Sequence, residues 1–145
     1  MTRPDYTAVF DRVNESFLRQ GMMQHLGVRI LRIRNGEVEF ALPMSDKVTQ
    51  QQGAFHGGAL GALADISCGY AALTVAPEGM EVTTVEYKIN FVSAAVGEEV
   101  VCIGKVLKAG RTLTITQAEL FDVKNGARKL CGLMQATLIA VAKKY

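Results

Sequence analysis

Gln52-Gly53-Ala54-Phe55-His56-Gly57-Gly58-Ala59-Leu60-Gly61-Ala62-Leu63-Ala64-Asp65-Ile66-Ser67-Cys68-Gly69-Tyr70-Ala71-Ala72-Leu73 is the stretch on which the reading of the fold turns. After two glycines the run is small or apolar almost throughout until Pro77, and its length and Ala/Leu content predict a helix. A helix that is apolar nearly all round is buried, not half exposed. Between Gly57 and Val75 the only ionisable carboxylate is Asp65. Burial without partners penalises a charged carboxylate by roughly several kcal/mol, so its presence points to a capped structural role or to chemistry. Chemistry is the favoured reading.

The start of the same helix is complementary to that acid. A first turn leaves backbone N–H groups without partners and carries a positive partial charge. Gly57 and Gly58 leave this turn without side chains, so a carbonyl oxygen can approach its amides as an oxyanion site requires. Asp65 lies seven residues after Gly58, about 10 Å further along the axis. Reacting groups must converge within about 3 Å, so one copy cannot supply both. The sequence therefore implies a dimer with two composite sites, in which Asp65 of one chain faces the Gly57 end of another and the helices run antiparallel.

The 145 residues make one domain, 1–145, with a helix within 1–21 packed on its body. An apolar fraction of 49% with three prolines fits a compact core. The net charge of +2, with no basic cluster denser than Lys143-Lys144, argues against nucleic acid as a partner. Cys68, Cys102 and Cys131 lack C-x-x-C spacing and read as reduced core residues. With no signal-peptide pattern near Met1, a cytoplasmic location is expected. No run has the length and flanks of a membrane span. Two distant histidines offer no ligand set, so no metal is expected.

Residues 5–19 carry Val9, Phe10, Val13 and Phe17 at helical spacing, ended by Gly21. Met22, Met23 and Leu26 read as core packing, and His25 as a solvated loop residue. Residues 28–33 and 37–42 flank Asn35-Gly36, a hairpin signal, and Pro43 ends the pair. Gln50, Gln51 and Gln52 lie in a polar connection. Pro77 and Gly79 close the central helix. Residues 81–91 alternate, with Val85, Tyr87, Ile89 and Phe91 on one face and Thr84, Glu86, Lys88 and Asn90 on the other, as in a half-buried strand. Strands at 99–108, 112–123 and 129–141, joined by short turns, complete an antiparallel α+β meander around one helix.

The run H-G-G-A-L-G-A-L-A-D, with G-x-x-H-G-G overlapping its start and T-V-E-Y-K-I-N-F after it, resembles the acyl-CoA thioesterases of the hotdog fold. The likeness is to the phenylacetate-pathway (PaaI-type) and 4-hydroxybenzoyl-CoA thioesterase group, and it runs from about Leu26 to residue 145. The resemblance implies a sheet wrapped around the central helix, and residues 81–91 pairing with a symmetry mate in a homodimer or homotetramer. It places an Asn or Gln fifteen residues before the helix acid, the position of Gln50, against the thioester or attacking group. It makes His56 chiefly a structural residue at the turn, sets Thr84 near the acid, and assigns Arg111 and then Lys108 to the nucleotide of coenzyme A. Coenzyme A is then part of the substrate, and no further cofactor is implied.

The leading expectation is hydrolysis of an acyl-CoA thioester, Asp65 acting as general base or as nucleophile with the Gly57 amide polarising the carbonyl. A hydratase of the same fold is disfavoured, because 66–70 lacks a histidine. The competing class is a non-catalytic acyl-CoA-binding module or regulator, against which the retained Asp65 speaks.

Overall fold

The computed structural model describes residues 6–145. Two short helices, α1 (Tyr6–Leu18) and α2 (Gly21–Leu26), precede the hairpin β1 (Arg29–Arg34) and β2 (Glu37–Pro43). The long helix α3 (Gly57–Leu73) follows, then β3 (Met80–Phe91), β4 (Glu99–Ala109), β5 (Leu113–Lys124) and β6 (Ala127–Ala142). The six strands form one antiparallel sheet in the order β1-β2-β4-β5-β6-β3. Short hairpins join β1 to β2, β4 to β5 and β5 to β6. At the last of these, Asn125 and Gly126 both take positive φ, 51° and 77°, which matches the strand twist.

The sheet curves around α3, as expected for a helix with no polar face: eleven of its seventeen residues are buried. Leu63, Leu73, Phe40, Leu42, Leu120 and Leu138 are fully buried in the core between helix and sheet. A side chain on Gly104 of β4 would collide with the carbonyl oxygen of Ser67, so the backbones of α3 and β4 meet there. The three cysteines are free and buried as read from sequence. Burial lifts the Cys68 and Cys131 thiols from the ordinary 9.0 to about 11, and raises that of Cys102 further.

α1 is fastened across the open end of the core. Val13 and Phe17 are buried, and Phe17 packs with Phe40 and Tyr70 at ring separations of 5.3 and 6.1 Å, and Phe40 with Tyr70 at 5.7 Å. The Arg12 guanidinium donates to the carbonyls of Ala76, Pro77 and Met80 at 2.9, 2.8 and 2.6 Å, beyond the C-terminal end of α3. Several details differ from the sequence reading. Asp5, where the first helix was to begin, lies outside the described residues. Phe10 is exposed, because α1 buries a narrower stripe. Gly21 opens α2, which Gly27 ends with φ 78°. Of the methionines there, Met23 is buried and Met22 is exposed.

Candidate active site

Asp65 sits half-buried at mid-length of α3, and its Oδ1 accepts a hydrogen bond from Thr84 Oγ1 at 2.8 Å. No described residue donates to Oδ2. Strict alternation along β3 puts Thr84 on the opposite face from Tyr87. The structure instead carries a β-bulge, where Thr84 pairs with Leu138 and Glu86 with Thr137, leaving Val85 over. The extra residue resets the parity. Thr84 then faces Asp65, the Tyr87 hydroxyl lies beside Gly61, and the Phe91 ring lies over Gly57. β3 thus follows α3 back toward its N-terminus. The residues that the alternation put on a buried face are less covered than implied: Val85, the bulged residue, is 57% exposed, and Tyr87 and Phe91 are 49% and 51% exposed because β3 is an edge strand with a neighbour on one side only.

At the start of α3, His56 is the N-cap. Its backbone is extended (φ −66°, ψ 132°), and Nδ1 accepts from the Gly58 N–H at 2.8 Å. The expectation that Gly57 and Gly58 both offer bare amides is therefore corrected. Gly58 is capped, whereas the Gly57 N–H finds no acceptor among the described residues. A Cβ at Gly57 would stand 3.2 Å from Phe91 Cζ, so only a glycine keeps that ring in place without adjustment. The turn is pinned on both sides. His56 N–H donates to Val48 O at 2.7 Å and Phe55 N–H to Ala95 O at 2.9 Å. The buried Asp122 carboxylate accepts from the amides of Val96 and Gly97 at 3.2 and 2.8 Å, fixing the loop that carries Ala95.

The other expected site residues lie apart from Asp65. Gln50 is half-buried in the turn before the helix, and its Oε1 accepts from the Gln52 amide, so the side chain closes its own turn. Lys108 and Arg111 are exposed at the β4–β5 turn. Their neighbour Lys105 pairs with Glu37 at 3.5 Å, while no described carboxylate pairs with either of them. Register relates that turn to the acid: Thr114, Leu138 and Thr84 share one line across β5, β6 and β3. Two strand spacings, about 10 Å, therefore separate Thr114 from Thr84.

Beside Asp65 opens a cleft of about 280 Å³ between α1, α3 and the first half of β3. Ser16 of α1 and Gln20, the residue before α2, line it opposite Asp65, Tyr70 and Thr84. Tyr70 Oη receives a hydrogen bond from Gln20 Nε2 at 2.9 Å and lies 3.2 Å from Ser16 Oγ. Burial pushes the Tyr70 phenol from 10.0 up to about 12. The sequence reading passed over Ser16 and Gln20. Their signal was positional: with Val13 and Phe17 they occupy i, i+3, i+4 and i+7, polar residues on the stripe that faces the core. Among the described residues no group of three or more His, Cys, Asp or Glu could hold a metal ion. No described helix is long and apolar enough to cross a membrane.

Residues 52–128, from the turn before α3 to the start of β6, match the family model described as the thioesterase superfamily. The chain belongs to this superfamily. Its fold is the hotdog fold, and the family is one of thioester-cleaving hydrolases. A crystal structure of a thioesterase family protein from Silicibacter pomeroyi superposes with a TM-score of 0.90 at 38% identity, over 93% of this chain and 99% of that one. A Saccharolobus solfataricus protein that carries the provisional name of esterase is 32% identical over 75% of this chain and 79% of its own length. The E. coli PaaI protein of the phenylacetic acid degradation operon shares the fold, with a TM-score of 0.82 at 16% identity over 92% of this chain and 94% of that one.

Proposed function

We propose that this superfamily member hydrolyses acyl-CoA thioesters in a homodimer, each site being built from Asp65 of one protomer and the Gly57 amide of its partner. The observation that carries the reading is the Asp65 carboxylate, held through one oxygen by Thr84 while the cleft beside it is open. Asp65 activates a water as general base or attacks the thioester carbon itself, and the Gly57 N–H takes the developing oxyanion. Within one protomer these groups are eight residues apart on α3, about 12 Å by helical rise, so they serve one bond only across two chains. The free edge of β3, with its exposed Val85, Tyr87 and Phe91, offers the second chain a strand to pair with and apolar side chains to cover. β1, at the opposite edge, carries Arg29, Arg32 and Arg34 and is the poorer candidate.

Two such dimers could pair as a homotetramer. Gln50 reaches the thioester once its side chain leaves its own turn, while His56 and Gly58 hold the turn that presents Gly57. Arg111 and Lys108, without carboxylate partners among the described residues, suit the phosphates of coenzyme A. The test is thiol release from an acyl-CoA panel by the purified protein and by Asp65→Asn, which is expected to lower turnover by at least about 100-fold with the fold unchanged. Near-normal rates in that variant remove Asp65 from the chemistry. Acyl-CoA binding without thiol release identifies a non-catalytic binding module.

A further inference from the structure

The cleft beside Asp65 has a chemical character that its position in the fold does not require. Its apolar lining comes from Ile66, Gly69, Val82 and Leu138. Its far end is a cluster of hydrogen-bonding groups, in which Ser16 of α1 and Gln20 of the α1–α2 junction reach in to the Tyr70 hydroxyl. Ser16 is buried, and Gln20 spends only its amide nitrogen on Tyr70, leaving Oε1 without a donor among the described residues. Glu81 closes the same end and accepts a hydrogen bond from the Tyr145 hydroxyl. Among the described residues no lysine or arginine lines the cleft. The nearby cations, Arg19 and Lys143, lie over the Tyr145 ring at 4.4 and 4.5 Å.

Resting on Asp65 as the group that acts on the thioester, we propose that this cleft is the acyl pocket, and that Ser16, Gln20 and Tyr70 select a short, uncharged acyl group ending in a hydroxyl. A cleft of about 280 Å³ lies at the bottom of the range for small-molecule sites, which suits a short acyl group. Tyr70 follows Asp65 by five residues, about 7.5 Å of helical rise, so an acyl group of about six carbons spans from the acid to the polar end. A terminal methyl there displaces water from the polar cluster without replacing its hydrogen bonds. A terminal carboxylate meets Asp65 and Glu81 with no cation among the described lining residues to offset them. A hydroxyl donates to the open Gln20 Oε1 and accepts from Ser16 or Tyr70. α1 is thereby part of the specificity apparatus as well as a cover for the core.

The test is a matched series on one carbon skeleton: hexanoyl-CoA, 6-hydroxyhexanoyl-CoA and adipyl-CoA, which end in methyl, hydroxyl and carboxylate. The expected order of kcat/KM is hydroxyl, methyl, carboxylate, with the first two separated by about fivefold or more, carried mainly in KM. Tyr70→Phe and Gln20→Met are each expected to bring the hydroxyl-to-methyl ratio toward one. Gln20 is partly exposed, so its variant keeps the test valid if loss of the buried phenol impairs folding. Turnover without a preference for the hydroxyl, fastest cleavage of adipyl-CoA, or a ratio unchanged in Gln20→Met overturns the pocket assignment alone. Thiol release from none of the three while other members of an acyl-CoA panel are cleaved likewise overturns the pocket assignment alone, whereas release from no acyl-CoA overturns the hydrolase reading and the pocket with it.

Discussion

Replacing Gly57 by proline removes one N–H from α3 and little else. Gly57 is the first helical residue, and its amide makes no intrahelical bond, so a proline ring there costs the helix no hydrogen bond. The residue before a proline must be extended, and His56 already is, at φ −66° and ψ 132°. The ring's Cβ meets Phe91 Cζ at 3.2 Å, a contact that the half-exposed Phe91 relieves by a small rotation. Gly57→Ala places the same Cβ against the same ring but keeps the N–H, which makes it the matched control. If the amide holds the oxyanion, Gly57→Pro loses about 100- to 1,000-fold in kcat, or roughly 2.7–4 kcal/mol of transition-state stabilisation. Gly57→Ala should lose less than about tenfold. Stability should change by at most about 1 kcal/mol in either variant, since the smaller entropy of the unfolded proline chain offsets the ring shift. Thiol release from an acyl-CoA, followed alongside thermal melting, reads both quantities. A folded Gly57→Pro protein that turns over as fast as Gly57→Ala refutes the oxyanion assignment.

Other expectations follow from single contacts. Thr84→Val removes the one side-chain donor to Asp65 while keeping the β-branched shape in β3; a fall in kcat of about five- to tenfold is expected, with little change in KM. An unchanged kcat would make that hydrogen bond structural only. Arg111→Ala should raise KM for an acyl-CoA several-fold while leaving KM for the matching N-acetylcysteamine thioester unaltered, because only the former carries phosphates. An equal effect on both substrates removes Arg111 from nucleotide binding. The core thiols make stability fall at high pH. The folded pKa values of Cys68 and Cys131 are raised, so their contribution is complete below the ordinary 9.0 and is lost as pH rises toward about 11. Denaturant midpoints measured from pH 8 to 11 should decline through this window, and Cys68→Ala should flatten the decline.

The fold was legible because its central element is extreme in composition. A run apolar on every side has no surface to offer water, and successive strands with short turns leave few ways to enclose it. Asp65 stood out for the same reason, as a charge in that run. What escaped the sequence depended on departures from regular periodicity. The bulge at Val85 carries no side-chain signature, yet it decides that Thr84 rather than its neighbour faces the acid. His56 could be placed at the turn but not oriented, and its Nδ1 removes Gly58 from the available amides. Ser16 and Gln20 escaped notice, because the spacing of one helix does not reveal that its core-facing stripe and the residue beyond its end overlook a cleft. The Gln50 side chain folds back on its own turn, a local bond that no long-range motif anticipates.

Complementation between two inactive variants bears most directly on the composite site. Asp65→Asn and Gly57→Pro chains, carrying different affinity tags and co-expressed, can be purified as the mixed dimer. In that dimer Asp65 of the Gly57→Pro chain faces the intact Gly57 amide of the Asp65→Asn chain. The mixed dimer should recover about half the turnover of the unaltered protein, one site in two, while each parent dimer stays at least about 100-fold down. A mixed dimer no more active than its parents would contradict the sharing of one site between two chains.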